Sequence, residues 1–170
     1  PPKVDIGSFP PALRETRATF ITINKGGRLR GCIGTIQAHQ PLIADVVENA
    51  YKAAMKDPRF PPLQEDETTD LDISVSLLSP FQEMSFTTEA DFMRQLRPTV
   101  DGLIIADQGK HGVFLPQVWE SIPDANDFVS RLKQKTGLPA DHWSASFQAW
   151  RFTAIPLKAT PKPAAAPKAQ

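Results

Sequence analysis

A run rich in β-branched and aromatic residues, Ala18–Asn24 (ATFITIN), is followed by Lys25-Gly26-Gly27 and a returning strand, Arg28–Thr35 (RLRGCIGT). Glycines that accept positive φ between two such strands specify a tight β-hairpin. A hairpin forces antiparallel pairing, which restricts how the rest of the chain can pack. A second hairpin is expected from Gly102–Ala106, the loop Asp107-Gln108-Gly109-Lys110, and His111–Leu115. Two hairpins exclude a purely parallel sheet.

Between and after them the hydrophobic period changes. Pro41–Lys56 places Leu42, Ile43, Val46, Val47, Ala50, Tyr51 and Ala54 on one helical face, with Asp45, Glu48, Lys52 and Lys56 opposite. Asp57-Pro58 ends that helix, because proline drives its predecessor out of helical dihedrals. Arg59–Asp70 reads as an acidic, Pro-rich surface loop. Leu71–Leu78 alternates apolar and polar residues with the period of a half-buried strand. Further helices are expected at Glu89–Leu96 and Asp124–Thr136, the latter capped by Gly137, with a helical turn at Pro116–Ser121 and a closing strand at Ser146–Ala154. The expected fold is α+β, a mixed and largely antiparallel sheet with hairpins and helices packed against it. Trp119, Phe128, Trp143 and Trp150 are assigned to packing.

One domain is expected over residues 13–155, within the usual size range for a single core. Residues 1–12 carry four prolines and begin with Pro1, so they read as an extended lead-in and a truncated N-terminal segment. Residues 156–170 are Pro, Ala and Lys, a composition of disordered chain. Nineteen basic residues balance nineteen acidic ones, and no basic patch is interleaved with aromatics, which argues against nucleic-acid binding. No apolar stretch approaches the roughly 18–20 residues of a membrane span, and no signal peptide is visible. With one cysteine no intramolecular disulfide is possible, and a cytoplasmic, reducing setting is expected.

That cysteine sits in the block Leu29–Gly34, LRGCIG. Alternation along a strand puts Arg28, Arg30, Cys32 and Gly34 on one side, and Leu29, Gly31 and Ile33 on the core side. Cys32 is the candidate nucleophile and Arg30 the candidate stabiliser of a thiolate or anion, since a nearby cation favours the thiolate. Gly31 and Gly34 leave room for a ligand or backbone to approach. A lone thiol is equally at home as a small buried apolar group, and residue types alone favour that reading. Of the three histidines, His39 and His111 are the candidates to orient the thiol. No Cys or His spacing suits a metal, and the glycine-rich stretch matches no phosphate-binding motif, so neither metal nor cofactor is expected.

Four blocks, LRGCIG at Leu29–Gly34, ENAYKAAMKDPRFPPL at Glu48–Leu63, LLSP at Leu77–Pro80 and DGLIIADQGKHGVFLPQVW at Asp101–Trp119, resemble the AMMECR domain family, also known as AmmeMemoRadiSam system protein A. The resemblance runs from about Leu13 to Ala154. It implies an α+β fold with a mixed sheet, and genomic association with a Memo-type protein and a radical-SAM protein. It carries no established reaction, but it makes LRGCIG the family signature and so raises the weight of Arg30, Gly31, Cys32 and Gly34 as a site. The chain departs from the family in its short Pro-rich lead and in Ser74, where the family often has an acidic residue.

Two readings follow. In one, Cys32 with Arg30 performs catalysis. In the other, the chain is a non-enzymatic adaptor that presents a small molecule or peptide to Memo and radical-SAM partners. Asn49 lies at the edge of the helix's apolar face, and with His111 and Arg30 it is expected to line the ligand pocket.

Overall fold

Gly26 and Gly27, at φ of 55° and 74°, close the first hairpin with Lys25 paired to Arg28. In the computed structural model, which describes residues 1–158, its strands are β1 (Thr19–Lys25) and β2 (Arg28–Gly34). The described chain forms two compact units, Pro1–Leu77 with the stretch from Ile155, and Leu78–Ala154.

In the first unit β1 pairs antiparallel with β2 on one side and with β3 (Leu71–Leu78) on the other. Strand β8 (Ala154–Lys158) completes the order β2-β1-β3-β8. Helix α2 (Leu42–Met55) lies on one face, where Ala53, Val46 and Ala50 pack with Ile21, Ile23, Ile33, Ile73 and Val75. Each fully buried aliphatic side chain of this kind contributes roughly 1.5–3 kcal/mol. Gly31 lies directly beneath α2: a Cβ there would stand 2.1 Å from the Ala53 carbonyl oxygen.

Five expectations for this unit need correction. Leu29 is not a core anchor; it is 42% exposed. The register steps from Ile23↔Gly31 to Asn24↔Leu29, so Arg30 is the extra residue of a β-bulge and strict alternation fails there. Asp45, expected on the solvated face of α2, is fully buried because Thr19 donates to it from both N and Oγ1 at 2.9 and 2.6 Å. The lead-in is not simply extended: Ile6–Ser8 form a 3-10 turn capped by Asp5, and Pro11 opens a short helix α1 (Pro11–Arg14), a position that suits its fixed φ. Pro156–Lys158 belong to β8 rather than to a disordered tail, and an edge strand tolerates a proline. The rest of the expected tail lies outside the described residues.

In the second unit β5 (Gly102–Asp107) and β6 (Lys110–Phe114) form the second hairpin. Its turn is tighter than the sequence suggests, only Gln108-Gly109, both at positive φ. β7 (Gln148–Phe152) pairs with β5 and with the two-residue β4 (Gln82–Glu83), giving the order β4-β7-β5-β6. Helices α3 (Glu89–Gln95) and α4 (Ala125–Thr136) contribute Phe92, Phe128, Val129 and Leu132 to its core. Trp119 stacks on Phe128 at 3.7 Å between ring centroids, and Trp143 packs at the same core. All resolved pairings within the two sheets are antiparallel, in keeping with an α+β fold built from hairpins.

Candidate functional site

Cys32 sits on β2, the edge strand of its sheet, on the face away from α2. Directly across on β1 is Thr22, whose Oγ1 lies 3.4 Å from Sγ, and across from Thr22 on β3 is Ser74. A thiol and two hydroxyl residues thus form a row over three strands. The thiol is half-buried.

An edge strand presents unpaired peptide groups. At Cys32 the chain just after α2 satisfies both. The N–H of Cys32 donates to Asp57 Oδ2 at 2.9 Å, and Arg59 Nη2 donates to the Cys32 carbonyl at 3.2 Å. Asp57 and Arg59 therefore stand where a neighbouring strand's acceptor and donor would be. They also bind each other, Arg59 Nε to Oδ1 at 3.0 Å and Nη2 to Oδ2 at 2.7 Å. Those Arg59 bonds, followed by the N–H groups of Cys32 and Arg59, hold the Asp57 carboxyl well below the usual range despite its burial. Asp57 in turn raises the Arg59 guanidinium, with a further contribution from Cys32.

Arg30 is engaged elsewhere. Its Nε and Nη2 grip Glu67 bidentately, both at 2.8 Å, and Glu67 falls to about 2, chiefly through that pair. Glu67 belongs to a 3-10 helix, Glu65–Asp70, in the segment read from sequence as a solvated loop. The Nη1 of Arg30 is sealed from solvent without a hydrogen-bond acceptor. The guanidinium carbons of Arg30 and Arg59 lie 5.9 and 5.6 Å from the Phe60 ring centre. The cation at Cys32 is thus Arg59 rather than Arg30. The sequence reading missed Arg59 and Asp57 because Asp57-Pro58 was read only as a helix stop. Their position inside the long DPRF-containing block was the available signal.

The remaining expected site residues separate. Gly31 is occupied by the approach of α2, and Gly34 by the Phe20 ring, 2.3 Å from where a Cβ would be. Neither leaves open space for a ligand. Asn49 is buried and donates to Thr19, Thr35 and Asp45, so it is a strut of the first unit rather than a pocket wall. His39 is exposed, with Nδ1 at 3.1 Å from the Gln37 carbonyl. His111 belongs to the second unit, on β6.

There it lines an open depression of about 390 Å³ with Asp107, Lys110, Ser146 and Gln148. The buried Asp107 carboxylate accepts from His142 Nε2 at 2.6 Å, Ser144 Oγ at 2.5 Å, Ser146 Oγ at 2.7 Å and the Gln108 N–H at 2.9 Å. These bonds, His142 first, depress its titration well below the carboxylate range. Histidine and both serines all point at the carboxylate, so no histidine–serine relay of the hydrolase type exists here. Among the described residues no group of three or more His, Cys, Asp or Glu side chains is placed to hold a metal.

Comparison with known proteins bears on this arrangement. The AMMECR1 family profile matches residues 2–156. The chain belongs to the AMMECR1 family. Among its AMMECR1 relatives, a protein of Methanothermobacter thermautotrophicus is 38% identical over 152 residues, covering 86% of this chain and 77% of its own. One from Thermotoga maritima is 35% identical, covering 86% of this chain and 80% of its own. A crystal structure of the uncharacterized protein PH0010 from Pyrococcus horikoshii superposes with a TM-score of 0.81 at 33% identity, over 88% of this chain and 76% of that one. No helix among the described residues of this AMMECR1 chain is long and apolar enough to cross a membrane.

Proposed function

We propose that this chain is an accessory module of an AmmeMemoRadiSam-type system, acting in the cytoplasm. Its ligand-binding or catalytic site is the face around Cys32, and its partners are a Memo-type protein and a radical-SAM protein. The observation that supports the site is the clamp on Cys32: both peptide groups are held by Asp57 and Arg59, while the thiol stays half-exposed beside a guanidinium. Fixing the backbone while leaving the side chain accessible is how a nucleophile or a covalent anchor is pre-organised. The resemblance supplies the partners, and its signature block contains Cys32.

The first test is alkylation of Cys32 by iodoacetamide in the folded chain. Reaction without denaturant is expected. Reaction only on unfolding would remove the thiol from any chemistry. The second test mixes the chain with both partners and follows every product formed. Cys32→Ser is expected to abolish the chain's contribution while co-purification persists. Unchanged products with intact co-purification would leave the adaptor reading, in which the chain only brings its partners together.

A further inference from the structure

Resting on Cys32 as the reactive centre, we infer that the site takes a small substrate whose electrophilic atom carries a neighbouring oxyanion, a carboxylate or phosphate, seated on Arg59. The argument begins with the orientation of an ion pair. Asp57 is buried, its side chain 2% exposed, whereas Arg59 is 53% exposed. The pair is neutral in sum but presents its cationic end outward, so an approaching anion meets the guanidinium first. Arg59 uses Nε and Nη2 on Asp57 and on the Cys32 carbonyl. Its Nη1 has no protein acceptor among the described residues.

Arg30 spends Nε and Nη2 on Glu67 and its Nη1 is sealed from solvent, so Arg59 is the guanidinium that an approaching anion meets. The Phe60 ring lies beside both guanidinium groups, and an apolar neighbour strengthens a charge contact by displacing water. Because Arg59 also touches the Cys32 carbonyl, an oxyanion on Arg59 sits within one residue of the thiol. The Nη1 of Arg59 still offers charged N–H donors, which suit a carboxylate or a phosphate oxygen alike.

The test compares iodoacetate with iodoacetamide on the intact chain at low salt. In both, the thiolate sulfur forms the C–S bond as the C–I bond breaks and iodide leaves, so the reagents differ mainly in charge. The iodoacetate-to-iodoacetamide rate ratio at Cys32 is expected to exceed that of N-acetylcysteine by about fivefold, the scale of one charge contact at a partly exposed site. It should fall to the N-acetylcysteine value in Arg59→Gln, remain raised in Arg59→Lys, and decline with added salt. Inorganic phosphate should slow the native chain and not Arg59→Gln at matched ionic strength, if phosphate is the seated group; acetate should do so if carboxylate is. A ratio equal to N-acetylcysteine, with iodoacetamide reacting freely, overturns the oxyanion seat and leaves the reactive thiol. If neither reagent reacts until the chain unfolds, the reading of Cys32 falls and this inference with it.

Discussion

Asp57 and Asp107 are both buried aspartates holding four donors, yet they produce opposite surfaces. Asp57 spends most of its capacity on one arginine that reaches back into solvent. Asp107 gathers His142, Ser144 and Ser146 and ties a loop onto the second hairpin. The surroundings match closely in other respects. Each lies by a hairpin whose second strand is a sheet edge, and each of those strands packs a glycine beneath a helix. The lesson is that a buried carboxylate gives a reactive surface only when its partner carries a charge outward. A closed set of hydroxyl and imidazole donors gives a tie.

The glycines offer the strongest way to break the parallel. A Cβ at Gly31 meets backbone, the Ala53 carbonyl oxygen at 2.1 Å, whereas one at Gly112 meets the Thr136 Oγ1 at 2.2 Å. Backbone of a helix cannot turn aside, but a hydroxyl can adopt another rotamer. Gly31→Ala is therefore expected to cost about 3 kcal/mol in denaturant unfolding and Gly112→Ala only about 1 kcal/mol. Equal costs would mean that Thr136 is locked as firmly as the backbone of α2.

Next comes the tie itself. Asp107→Ala strands four donors and is expected to destabilise by about 2 kcal/mol, measured by thermal or denaturant unfolding. It should leave iodoacetamide alkylation of Cys32 unchanged. Asp57→Asn should cost less, about 1 kcal/mol, because its amide oxygen still accepts two of the four bonds. It should alter the alkylation rate, since Arg59 loses its anchor. A change at Cys32 in Asp107→Ala, or none in Asp57→Asn, would erase the distinction between surface and tie.

Acid provides the smallest and most graded test. Asp57, Asp107 and Glu67 all titrate lower in the folded chain than in the unfolded one. Their stabilisation is complete above the unfolded value of about 4 and is lost as pH falls below it. Stability should be flat in this respect above about pH 5 and decline towards pH 2, with a shallower slope in Asp107→Ala. An unchanged slope would mean that Asp107 is not held by its donors in solution.

The sequence carried much of the fold because the strongest local signals were consistent. Turn glycines at Gly26, Gly27 and Gly109, the apolar period of α2 and the alternation of β3 each found their element. It failed where one residue had two meanings. Arg30 read as a face of a strand until the bulge removed it from the alternation. Asp45 read as a solvated group and Asn49 as a pocket wall at the edge of the apolar face, although the peptide of Thr19 draws both inside. The site was half legible. Cys32 was visible as a lone thiol among glycines, but Arg59 is separated from it by 27 positions, and only the fold brings the two together. His142 and Asp107, 35 residues apart, were hidden in the same way.

The order β2-β1-β3-β8 also has a consequence in time. The first three strands of that sheet leave the ribosome early, but their last neighbour begins at Ala154, after the whole of Leu78–Ala154 has been made. Until then β3 is an open edge carrying Ile73 and Val75. Synthesis at roughly 5–20 residues per second leaves that edge bare for several seconds. The second unit, whose chain is continuous, can finish first. The first unit, begun earliest, is completed last, and the vulnerable interval in the life of this protein belongs to β3.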